Sequence, residues 1–138
     1  MKKMICVIGF FLIIAIGMLS GCQETKTTGV KTFEGVSLVS NVVTLSNASF
    51  KLIKDKNDII VRAEVQYLFH NPSNKPIRIN VTASFCDNEG NVIFIGGPKH
   101  IYLLEEYTER SITGANSISY DGEGVEKIDH VIITAIPA

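Results

Sequence analysis

Three histidines, three cysteines, a scatter of serines and a few acidic clusters supply the reactive side chains of this 138-residue chain. His70, His100 and His130 stand far apart, with no H-x-x-x-H and no cysteine pair, so the short ligand spacing of a zinc site is missing. Asp121, Glu123, Glu126 and Asp129 are acidic but lack the register of an EF-hand loop, and read as a solvated loop. No G-x-S-x-G frames a serine nucleophile, and Ser84 has no base near it in sequence. Glu105 and Glu106 would point to opposite faces of a strand. With Glu109 they would need burial to divide acid and base roles, and nothing in the sequence promises it. Gly96-Gly97-Pro98-Lys99 is followed by no helical pattern that would aim N–H groups at a phosphate. The expectation is a chain that is not an enzyme and takes no metal and no cofactor.

The one strong chemical motif lies near the amino terminus. Lys2 and Lys3 precede a 16-residue apolar run, Met4 to Leu19, and then Ser20, Gly21 and Cys22. A basic start, an apolar stretch and small residues describe a secretory signal, and the run is short of the ~20 residues that span a bilayer. Leu19-Ser20-Gly21-Cys22 resembles the bacterial lipobox. That resemblance implies a diacylglyceryl thioether on the Cys22 sulfur and cleavage between Gly21 and Cys22. It therefore implies a bacterial membrane protein held by covalent lipid. Each buried CH₂ contributes about 0.8 kcal/mol, so two or more acyl chains anchor stably. Gln23, rather than aspartate, follows the cysteine, which by the same resemblance favours the periplasmic face of an outer membrane where the source has one.

Residues 1–21 are thus expected to be a signal peptide, 22–32 the lipidated cysteine and a flexible polar tether, and 33–138 one domain. Removing Lys2 and Lys3 takes the net charge from −1 to −3. That balance disfavours nucleic acid as a partner. Cys6 leaves with the leader and Cys22 carries lipid. Cys86 is then a lone thiol, read as a small strand residue rather than a nucleophile.

The mature chain reads as strands. From Ile59 to Phe69 every second residue is apolar (Ile59, Val61, Ala63, Val65, Tyr67, Phe69), while Leu68 falls on the other face with Arg62, Glu64 and Gln66. Residues 77–86 alternate similarly. Ser49 to Ile53 looks like a hairpin arm before the first of these strands. Segments 36–45, 91–95 and 128–136 are further strands. Gly96-Gly97-Pro98 is expected to end one strand, 101–104 and 107–113 to be two short weak strands or one strand bent at Glu105-Glu106, and 116–124 a loop. About seven strands at roughly ten-residue spacing predict an all-β, immunoglobulin-like antiparallel β-sandwich. Asn71, Asp87 and Gly90 are turn residues: the first two bond local backbone, and the glycine relieves a left-handed position.

The stretch Phe69-His70-Asn71-Pro72-Ser73-Asn74-Lys75-Pro76-Ile77, followed by Phe85-Cys86-Asp87 and Gly90-Asn91-Val92, resembles the FxLYD and late-embryogenesis-abundant type 2 domains. It is also similar to the YcfL-type periplasmic lipoproteins, which share the lipobox. Cys86 replaces a bulky residue of the FxLYD pattern, and Leu103-Leu104-Glu105-Glu106 lacks that pattern's Pro and Gly. Both groups imply an immunoglobulin-like fold, and neither supplies a catalytic residue.

Tyr102, Tyr107, Arg110 and Tyr120 are candidate partner-binding residues, because tyrosine and arginine are enriched at binding hot spots. The alternative is that the tyrosines fill the sandwich rim. The expected function is a membrane-anchored adaptor or binding module for an envelope protein or cell-wall partner. A periplasmic inhibitor or immunity protein, inserting residues 114–124 into a foreign enzyme, is the alternative.

Overall fold

In a computed structural model of the chain, residues 33–138 are described. They form a sandwich of two sheets. The strands are β1 (Val36–Val39), β2 (Thr44–Lys54), β3 (Ile60–His70), β4 (Ile77–Cys86), β5 (Val92–Leu103), β6 (Ser117–Tyr120) and β7 (His130–Pro137). One sheet has the order β1-β7-β4-β5 and the other β2-β3-β6. The expected all-β, immunoglobulin-like sandwich is what the chain forms. One pair departs from antiparallel: β1 runs parallel to β7, with Val36 opposite Val131. The amino-terminal strand reaches the sheet edge beside the last strand, and no hairpin links them.

The two alternating strands meet across the core. Val65, Tyr67 and Phe69 of β3 pack with Ile79, Val81 and Phe85 of β4 and Val131 and Ile133 of β7, all fully buried. Each such side chain contributes roughly 1.5–3 kcal/mol relative to exposure. The period-2 reading of β3 holds for its second half only. Ile59 and Val61, predicted to face inward, are exposed beyond the end of the core, and Leu68, placed on the polar face, is 8% exposed.

Three boundaries differ from expectation. The segment 36–45 is interrupted after Val39, and β2 begins at Thr44, absorbing the predicted arm at 49–53. Strand β5 continues through Gly96-Gly97-Pro98, whose Gly97–Pro98 peptide is cis. An edge strand tolerates proline because its outer N–H positions pair with nothing, and the extra residue sits on β5, which runs from Lys99 to Gly96 while β4 runs from Val81 to Ala83. Gly96 also lies where a Cβ would meet the Ile118 side chain from the opposite sheet. Finally, 116–124 is no simple loop, since Ser117–Tyr120 pairs with Ala63–Gln66 of β3.

Candidate functional site

Residues 104–116 leave β5 and cross to the other sheet. This strap carries Tyr107 and Arg110, two of the four candidate partner-binding residues, and Glu109. It forms no strand at 107–113. Instead Thr108 bridges to His70, the Glu109 N–H donates to the Phe69 carbonyl (2.9 Å), and the Phe69 N–H donates to Glu109 Oε1 (3.0 Å). A turn of 3-10 helix at Gly114–Asn116 follows, with the Thr113 hydroxyl accepting from the Ala115 N–H.

Asn116, 1% exposed, locks the strap down. Its Nδ2 donates to the Tyr67 carbonyl (3.0 Å) and to both Glu109 carboxylate oxygens (3.1 Å each). Its Oδ1 accepts from the Thr113 hydroxyl (2.7 Å). The Tyr67 hydroxyl donates to the Ala115 carbonyl (2.8 Å), and burial, reinforced by the Glu109 charge, pushes that hydroxyl well above the usual phenol range. It therefore stays a donor. Glu109, weighed from sequence as half of an acid–base pair with Glu105 or Glu106, is engaged in holding backbone. Asn116 carries no local sequence signal.

The turn residues stand where the sequence places them. Asn71 is fully buried: Oδ1 accepts from the Ser73 N–H and hydroxyl, and Nδ2 donates to the Lys75 and Leu104 carbonyls. The bond to Leu104 ties the local turn to the start of the strap, a contact the sequence does not reveal. Asp87 accepts from the Asn91 and Glu89 N–H groups, chiefly Asn91, and these hold its carboxyl below the usual range. Gly90 adopts φ 84°. Cys86 is buried, and burial followed by the neighbouring Asp87 pushes its thiol up, away from thiolate reactivity.

The four candidate partner-binding residues fall in separate settings. Tyr102 is 55% exposed on β5, with the Arg78 guanidinium 5.6 Å from its ring centre. Tyr107 is exposed in the turn after β5, its carbonyl accepting from the Asn71 N–H. Arg110 is exposed on the strap. Tyr120 is half-buried. Its ring stacks on Phe94 at 4.3 Å, and its hydroxyl donates to the Glu123 carbonyl.

Every buried side-chain nitrogen or oxygen among the described residues has a hydrogen-bond partner, so the interior polar groups are spent on architecture. Of the exposed large apolar side chains, Val92, Ile95 and Tyr102 lie on β5, each more than half exposed. This strand is a sheet edge among the described strands.

No family model and no curated protein matches the chain. Among solved structures, the crystal structure of Campylobacter jejuni cj0090 is similar at 12% identity and a TM-score of 0.43, covering 75% of this chain and 100% of that one.

Proposed function

We propose that the chain is a bacterial envelope lipoprotein, anchored through Cys22, whose sandwich acts as a non-catalytic binding module. The observation that carries the reading is the β5 edge. It offers an unpaired ladder of N–H and C=O groups flanked by exposed Val92, Ile95 and Tyr102. Such an edge accepts a strand from a partner, with main-chain bonds supplying affinity and alternate side chains supplying selectivity. The lipid anchor rests on the lipobox resemblance at Leu19–Cys22, and Cys22 and the tether lie outside the described residues. The FxLYD, late-embryogenesis-abundant type 2 and YcfL-type resemblances agree with such a module. The partner is an envelope protein or a cell-wall component.

A photoreactive residue at Tyr102 or Ile95, compared with one at Lys56 in the β2–β3 turn, tests the edge in intact cells. A discrete adduct from the β5 positions, absent from Lys56 and lost in Cys22→Ser, is the expected result. Identical labelling from all three positions contradicts it.

A further inference from the structure

The outer face of the β2–β3 sheet carries a depression of about 210 Å³ beneath the strap. Its floor is Leu68. Along β3 the side chains of Val65, Tyr67 and Phe69 enter the core, so alternation turns Leu68 outward, opposite Asn47 on β2. Leu68 is nonetheless buried without belonging to the core between the sheets. Arg110 and Ile112 form one wall; Asn47, Ser49 and Gln66 form the other side. The register of β2 shifts between Leu45 and Asn47, and the Ser46 hydroxyl donates to the Leu68 carbonyl (3.1 Å), so a bulge sets the aim of this wall.

The chemistry of the lining is one-sided. Arg110 forms no ion pair among the described residues. Among the described residues no carboxylate lines the depression. The acids two residues from Gln66 and next to Arg110 in the chain are already engaged: Glu64 by the Gln66 amide (3.1 Å) and Lys51 (3.9 Å), and Glu109 by Asn116 and the Phe69 N–H. The Gln66 carbonyl oxygen, the Asn47 amide and the Ser49 hydroxyl remain for polar contacts. Arg110 extends from a backbone pinned at Glu109, so its guanidinium is carried on a fixed base. A guanidinium without an ion-pair partner among the described residues, beside carboxamides and an apolar floor, suits a carboxylate with a short apolar neighbour.

Size narrows the ligand further. At ~30 Å³ per water, the depression holds about seven waters, and it falls below the ~300 Å³ at which small-molecule sites begin. It therefore accommodates part of a longer chain. We propose that this depression is a subsite for a carboxylate-bearing peptide. The carboxylate meets Arg110, the adjoining side chain rests on Leu68 and Ile112, and peptide amides bond to Asn47, Ser49 and Gln66. The carboxylate belongs either to a chain terminus or to an acidic side chain. The proposal rests on reading the domain as a binding module, and places a second recognition point apart from β5.

The test uses the full-length protein in detergent micelles, followed by amide NMR. The probes are N-acetyl-Ala-Ala-Leu with a free carboxylate, the same peptide as its carboxamide, and N-acetyl-Ala-Glu-Leu carboxamide. Saturable shifts at Asn47, Gln66 and Arg110 are expected with the free carboxylate or the glutamate peptide, and whichever binds identifies the source. The neutral carboxamide should bind at least about tenfold more weakly, as should the binding peptide to Arg110→Gln, each tenfold being 1.4 kcal/mol. Arg110 is exposed, so an unchanged melting temperature separates lost binding from lost folding. Equal binding of the neutral peptide, indifference to Arg110→Gln, or no saturable shift at millimolar peptide overturns the proposal. If β5 crosslinking through Tyr102 persists alongside such a result, this subsite falls and the binding-module reading stands.

Discussion

Removing the Asn116 amide should loosen the strap and destabilise the whole sandwich. Asn116→Ala takes away the donor to the buried Tyr67 carbonyl, the donor to the Glu109 carboxylate, and the acceptor for Thr113. A buried carbonyl left unpaired costs about 1–3 kcal/mol, and a hydrogen bond to a charged group is worth about 1.5–3 kcal/mol. Thr113 is exposed and water can replace its partner, and Glu109 keeps the Phe69 N–H. The sum is about 3 kcal/mol, a large share of the ~5–15 kcal/mol that holds a domain together. At roughly 4–8 °C per kcal/mol for a domain near 100 residues, the melting temperature should fall by about 12 °C or more. Calorimetry reads the magnitude, and hydrogen exchange at the Phe69 and Glu109 amides reads the location. Asn116→Asp provides the control. It keeps the acceptor for Thr113 but turns a carboxylate toward Glu109, so its defect should be at least as large. A melting temperature for Asn116→Ala within a few degrees of wild type, with Phe69 and Glu109 still protected, would refute the reasoning.

Two further outcomes follow from packing and electrostatics. Gly96→Ala should cost about 1–3 kcal/mol by overpacking against Ile118, and Ile118→Ala, which opens the space, should make the double variant more stable than the sum of the singles implies; strict additivity in denaturant melts would place the clash elsewhere. The folded-state depression at Asp87 means that its contribution to stability is present above the unfolded carboxylate pKa near 3.9 and is lost as pH falls through the lower folded value. Asp87→Asn should therefore flatten the acid limb of the stability–pH curve, and an unchanged limb would remove Asp87 from that account.

The elements most legible in the sequence are those whose signals are local. Strands β3 and β4 alternate because each has one face on the core, and Asn71 and Asp87 reveal themselves because their partners lie within four residues. Strand β6 hides: Ser117-Ile118-Ser119-Tyr120 puts one buried apolar residue among polar ones, and its pairing with β3 comes from a distant part of the chain. Leu68 looks like an exception to alternation until the strap covers it. The depression escapes the sequence for a related reason. Its residues come from β2, β3 and the strap, and no spacing brings 47, 66 and 110 together before the sheet forms. Gly96-Gly97-Pro98 misleads because breaker chemistry is tolerated on an edge, and edge status is a property of the assembled sheet.

The central claim is that Cys22 becomes the lipid-bearing amino terminus of a tethered sandwich. Intact-mass spectrometry of the protein extracted from its native membranes tests this directly. The expected species begins at Cys22, lacks residues 1–21, and carries the added mass of a diacylglyceryl group, with or without a third acyl chain. A full-length chain with an unmodified Cys22, or a chain cut elsewhere and free of lipid, would contradict the account.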